Sequence, residues 1–174
     1  MSLRCITTCN LTGQVLQISI SKGGVPKRPV TDAMVTPLGV EGDFCAHPEF
    51  HGGPIQAVLV AAAEVTDELI ARGYPLFYGA LGENFTTRGL DRRLWRIGQR
   101  WRVGGCVIEF TKIRTPCGAL DVYGPAIKRE IYDQRVAAGD PASPRWGMSG
   151  LYARVVEPGP VRAGSPISLE SDVA

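Results

Sequence analysis

The sequence predicts a mainly β fold of the α+β class, and three observations point there. Residues 14–20 alternate apolar and polar side chains with a period of two, as a half-buried strand does. Two β-prone runs, residues 99–103 and 106–110, are separated only by Gly104-Gly105, which is the spacing of a tight hairpin. Near the end of the chain, residues 151–156 and 166–169 read as closing strands, joined through the turn-rich Glu157-Pro158-Gly159-Pro160.

Between these anchors the elements follow in order. After the first strand, Ser21-Lys22-Gly23-Gly24-Val25-Pro26-Lys27-Arg28 breaks the alternation. Its glycines and flanking cations suit either an anion-binding turn that offers backbone N–H groups or an ordinary solvated turn. Residues 33–36 are a candidate second strand. Residues 39–54 are too rich in Gly and Pro for regular structure and hold both histidines, His47 and His51. Cys45, His47 and His51 fall short of a structural zinc set, which needs four ligands at recognised spacings. His51-Gly52-Gly53 reads instead as a loop in which an imidazole hydrogen-bonds and the glycines let a ligand approach closely. Residues 57–62 are a buried strand, and 63–71 then place Val65, Leu69 and Ile70 at helical spacing, with Gly73 as the stop. Residues 79–90 resume with a turn, which includes Gly82, and a short strand. Within them, Glu83 and Asn84 either clamp a polar ring edge or satisfy the turn's own backbone.

The Gly104-Gly105 hairpin sends its return strand into Thr111-Lys112-Ile113-Arg114-Thr115-Pro116-Cys117-Gly118, the stretch around which the chain is organised. Pro116 has no ladder N–H to give, so the strand is expected to end just before Cys117 and leave the thiol where a loop opens. Arg114, folded back toward the sulfur, would favour thiolate, the form that attacks electrophiles and binds soft metals. The plain alternative is a buried cysteine acting as a small hydrophobe. Farther on, residues 125–138 carry Ile127, Ile131 and Val136 close to a helical stripe. Residues 139–147 form a Pro/Ser loop whose Arg145 and Trp146 make it a candidate flap over a site.

Composition narrows the function. At 174 residues the chain suits one domain, 1–174. A formal charge of +2, with Lys and Arg scattered among acids, argues against a nucleic-acid partner. No apolar run reaches membrane-spanning length and no signal core opens the chain, so the expectation is a cytoplasmic protein with no membrane partner. Five cysteines, an odd number without a compact framework, are expected to be reduced thiols.

Taken in register, several of these motifs resemble the MOSC family, the domain found at the C-terminus of molybdenum cofactor sulfurases and as small stand-alone bacterial proteins. The likeness rests on Ser21-Lys22-Gly23-Gly24 with Pro26-Lys27, Gly42-Asp43, His51-Gly52-Gly53, Gly82-Glu83-Asn84, Ile97-Gly98, Arg114-Thr115-Pro116-Cys117 and residues 150–155 followed by Gly164. It spans roughly residues 18–169, taken as the core of a single MOSC domain. Ile55, Leu151 and Ser165 depart from the pattern at positions that bear on specificity rather than on the cysteine. The resemblance implies a barrel-like β-sheet of the PK beta-barrel type with a few peripheral helices. It implies molybdenum cofactor (molybdopterin) as the bound group, with Cys117 as metal ligand or persulfide carrier and Arg114 beside it. Lys22, His51, Gly52, Gly53, Gly82, Glu83 and Asn84 would then form the cofactor pocket. The implied activity is reduction of an N-hydroxylated or N-oxide small molecule, fed by a separate electron-donor protein. The alternatives are sulfur transfer from a PLP-dependent cysteine desulfurase, with PLP on that partner and not on this chain, and non-catalytic cofactor carriage.

Overall fold

The structure, a computed structural model, describes residues 11–45 and 52–173. Its strands are β1 (Thr12–Ile20), β2 (Arg28–Val30), β3 (Asp32–Thr36), β4 (Gly39–Val40), β5 (Val58–Ala62), β6 (Phe85–Arg88), β7 (Arg100–Val103), β8 (Cys106–Ile113), β9 (Leu151–Glu157), β10 (Gly159–Arg162) and β11 (Pro166–Ser171). Three helices accompany them, α1 (Ala63–Ala71), α2 (Ile127–Ile131) and α3 (Gln134–Ala137). No described helix is long and apolar enough to cross a membrane.

Alternation along the strands builds a barrel. The order β11-β7-β8-β9-β5-β6-β1 is closed by pairing of β1 with β11, so seven strands form the ring and β2 extends β1 outside it. Closure removes the unpaired edges that an open sheet would offer to other chains. The alternation in β1 is not uniform: a bulge between Val15 and Gln17 shifts the register against β6, and Val15 and Ile18, three apart, are both fully buried. β5 and β6 are parallel and therefore need a crossover. α1 supplies it, burying Ala63, Val65, Thr66 and Leu69 and stopping before Gly73. β5 is buried along its whole length, as expected for a strand covered on both faces.

The core centres on aromatic rings from neighbouring elements. Phe110 on β8 lies 5.4 Å from Trp95 and 5.9 Å from Trp101 between ring centroids, and all three are buried. Burying an aromatic side chain of this kind contributes about 1.5–3 kcal/mol. A second small sheet, ordered β10-β3-β4, packs beside the barrel and carries the chain from Val40 to Asp43.

Three local expectations change. The turn expected at 157–160 is shorter, because β9 runs to Glu157 and β10 begins at Gly159. Pro160 is tolerated there because β10 is an edge strand of its sheet. Residues 125–138 split into α2 and α3, because Tyr132 is extended and the Asp133 carboxylate caps α3 by accepting from Val136 N. Finally, β8 ends at Ile113, earlier than Pro116 requires.

Candidate functional site

The end of β8 sets the site. A second register shift, between Phe110 and Lys112, bends the strand where it leaves β9. The backbone is then pinned twice: Arg114 N donates to Gly150 O at 3.0 Å, and Ser149 Oγ donates to Arg114 O at 2.6 Å. With its main chain held, Arg114 turns inward and is only 3% exposed. Its Nη2 donates to Leu81 O at 2.9 Å, while Nε and Nη1 are buried with no hydrogen-bond partner among the described residues. Burial lowers the Arg114 pKa, and the nearby Tyr152, Cys117 and Glu83 work in the opposite direction. Cys117 follows in extended backbone, half-buried, at the start of a 3-10 turn over Gly118–Tyr123.

Cys117 and Arg114 line a cavity of about 380 Å³ together with Tyr152, Lys27, Asp43 and Asn84. Leu59 and Leu81 supply apolar wall, and the exposed Leu38 and Phe44 also line it. Tyr152 is 8% exposed. Burial raises its pKa first, Arg114 lowers it, and the sulfurs of Cys117 and Cys45 raise it, so all four groups share one electrostatic neighbourhood.

Asp43 and Asn84 frame the cavity across distant segments. Asp43 Oδ1 accepts from Ser21 N at 2.8 Å, and Oδ2 accepts from Asn84 Nδ2 at 2.8 Å and from Lys27 Nζ. Asn84 also donates to Ser19 O at 3.2 Å and accepts from Leu59 N at 3.1 Å. The β1–β2 loop, the Gly42-Asp43 turn and β5 are thereby tied to one amide. Glu83 sits beneath, fully buried, with Oε1 accepting from Gly79 N at 2.6 Å and Thr86 Oγ1 at 3.1 Å and Oε2 without a partner among the described residues. Burial raises its pKa above the usual carboxylate range, against smaller opposing effects that include Arg114.

The structure thus gathers some of the residues singled out in the sequence and separates others. Cys117, Arg114, Gly52, Gly53, Gly82 and Asn84 all line the cavity, whereas Glu83 supports it from below. Lys22 is exposed and does not line it; Lys27, from the same motif, does. His51 and His47 lie outside the described residues. Residues 139–147 do not form a flap, since none lines the cavity and the loop is docked elsewhere. Trp146 Nε1 donates to Trp95 O at 2.8 Å and Arg92 Nη2 to Pro144 O at 3.0 Å. Local sequence reasoning misses Asp43 and Tyr152 as site residues. For both the signal is a place in a family motif, Gly42-Asp43 for one and residues 150–155 for the other, since locally each reads as an ordinary turn or strand residue.

Among the described residues no group of three or more His, Cys, Asp and Glu side chains can hold a metal ion. The cavity fits an organic cofactor that carries a metal on three counts. It offers a soft sulfur donor, two unpartnered guanidinium nitrogens for anionic oxygen, and glycines at its wall. Gly24 and Gly53 hold positive φ of 74° and 79°, and a Cβ built on either would meet nothing within 4 Å. Glycine is required there by the backbone, and the space it faces is open to a ligand.

Fold and cavity together define a closed β-barrel protein that presents two thiols and one buried guanidinium to a pocket of cofactor size. Residues 47–168 match the MOSC domain, and the chain belongs to that family, which is associated with the molybdenum cofactor. It is 34% identical over 152 residues to the uncharacterized protein YflK of Bacillus subtilis, covering 85% of this chain and 63% of that one. It is 32% identical over 148 residues to YiiM of Escherichia coli, covering 82% of this chain and 61% of that one. The chain therefore spans a little under two thirds of the length of these curated relatives. The crystal structure of Escherichia coli YiiM superimposes with a TM-score of 0.68 at 25% identity over 93% of this chain and 71% of that one. A crystal structure described as a hypothetical protein gives 0.71 at 27% identity, over 94% and 71% respectively.

Proposed function

We propose that this protein holds molybdenum cofactor with Cys117 as the protein's ligand to the metal and reduces N-hydroxylated or N-oxide compounds. One observation carries the reading: a half-exposed thiol shares its cavity with a buried guanidinium whose Nε and Nη1 are unpartnered. Two N–H donors buried without acceptors cost about 1–3 kcal/mol each, a cost that an anionic ligand removes. The bound cofactor supplies a metal centre able to exchange two electrons and accept oxygen.

The chain's own residues do the rest. Cys117 would contribute its sulfur to the bound group, and Arg114 would stabilise the negative charge gathered beside it. Lys27 adds a second cation, held in place by Asp43. Glu83, whose pKa burial raises, supports the Gly79–Thr86 turn by accepting from Gly79 N and Thr86 Oγ1. Leu59 and Leu81 exclude water from one side of the pocket. The overall reaction consumes two electrons and two protons and releases water, with the electrons drawn from a separate donor protein.

Metal and pterin content of protein purified from a host that makes the cofactor tests this. Near-stoichiometric molybdenum in the wild type that is lost in Cys117→Ser is the expected result, followed by turnover of an N-hydroxylated substrate with an added electron donor. Absence of molybdenum from both proteins, with a persulfide on wild-type Cys117 alone, replaces this reading with sulfur transfer from a desulfurase.

A further inference from the structure

Three cysteines are described, and the structure sorts them sharply. Cys106 is buried in β8, where burial pushes its thiol up to about 12 and removes it from thiol chemistry. Cys117 and Cys45 instead line the same cavity. Tyr152, 8% exposed, lines that cavity with them. Cys45 also follows a tightly anchored stretch of chain. Asp43 N donates to Val40 O at 3.0 Å, Phe44 N donates to Ser21 O at 2.9 Å, and the Asp43 carboxylate holds Ser21 N, Lys27 and Asn84. On the other side, the Cys117 loop is pinned through Arg114. Two thiols are thus brought from segments far apart in sequence to one pocket, whose wall also holds the buried Arg114 guanidinium.

We propose that Cys45 is a second working thiol of this cavity and closes a reversible disulfide with Cys117. A low-molecular-weight disulfide starts the reaction. The Cys117 thiolate attacks one of its sulfurs, forming a mixed disulfide and releasing one thiolate. The Cys45 thiolate then attacks Cys117 Sγ, the mixed disulfide breaks, and the second small thiolate leaves and takes up a proton. Two protein thiols are oxidised and one small disulfide is reduced to two thiols, so electrons and atoms balance. A dithiol reductant runs the reaction backwards. The oxidised form withdraws Cys117 from any metal or sulfur chemistry, making the site responsive to the thiol poise around it. The disulfide requires neither cofactor nor substrate.

The test uses the full chain made in a host without molybdenum cofactor, reduced, exposed to oxidised glutathione, alkylated and mapped by mass spectrometry without reduction. The expected product is a peptide pair joined through Cys45 and Cys117 that dithiothreitol separates. In Cys45→Ser the same treatment leaves Cys117 as its glutathione adduct. The proposal is overturned if wild-type Cys117 also stops at the glutathione adduct, or if it joins a cysteine other than Cys45. Molybdenum content is read on separate, cofactor-loaded protein, so either proposal can fail while the other stands.

Discussion

The aromatic core and the cavity contain the same formal defect, a buried polar atom with no hydrogen-bond partner among the described residues, and it means different things in the two places. In the core the orphans are the indole nitrogens of Trp95 and Trp101, neutral donors packed around Phe110. In and beneath the cavity they include Nε and Nη1 of Arg114 and Oε2 of Glu83, atoms of ionisable groups, beside the neutral amide oxygen of Gln56. An indole N–H left unpaired is a modest cost against a large apolar surface removed from water. A guanidinium left unpaired at the wall of an open pocket is poised for a ligand. The difference lies in the neighbouring space, because one set of orphans is sealed in packed side chains and Arg114 faces room for another molecule.

That contrast can be broken most strongly from the core side. Phe110→Ala removes the ring that joins the two tryptophans and is expected to lower unfolding free energy by about 3–5 kcal/mol, measured by urea denaturation. A loss under about 1 kcal/mol would show that the core collapses around the gap and is not the rigid region described. Asn84→Ala comes next. It leaves Leu59 N without its acceptor and loosens Asp43, for an expected cost of about 2 kcal/mol together with weaker retention of the cofactor. Full retention at lowered stability would reduce the Asp43–Asn84 frame to scaffolding alone. The smallest effect is a change of slope. Glu83 has a raised pKa in the folded protein, so between its unfolded value near 4.5 and that raised value the native state holds a proton that the unfolded chain has lost. Stability is full below that window and falls as pH rises through it. Glu83→Gln cannot titrate, so its stability should gain on that of the wild type as pH rises; parallel curves would mean that Glu83 is ionised in the fold.

Local signals in the sequence were enough for much of the barrel. Gly104-Gly105 between two β-prone runs predicted the β7–β8 hairpin nearly residue for residue, and the apolar run and periodicity of residues 57–71 predicted β5 and α1. β2 and β10 escaped because each is short and carries a proline, and β10 also takes its pairing from a strand far away in sequence, β3. The site divides in the same way. Cys117 and Arg114 stand three residues apart and announce themselves, whereas the tie from Asp43 to Asn84, Lys27 and Ser21 exists only once three segments meet. Glu83 was legible as a conspicuous carboxylate but not as a buried one, since burial is a property of what surrounds it.

The closure of the ring by β1 and β11 has a consequence for how the chain comes to exist. Thr12, Gly13 and Gln14 complete their pairing with Pro166, Ile167 and Ser168, among the last described residues to leave the ribosome. Until then the growing polypeptide carries an unsatisfied strand edge while all the intervening strands are made. Pairings of such long sequence separation are slow to form and expose the chain to aggregation meanwhile. Yield of native protein should therefore depend on elongation speed and on chaperone supply more than on equilibrium stability.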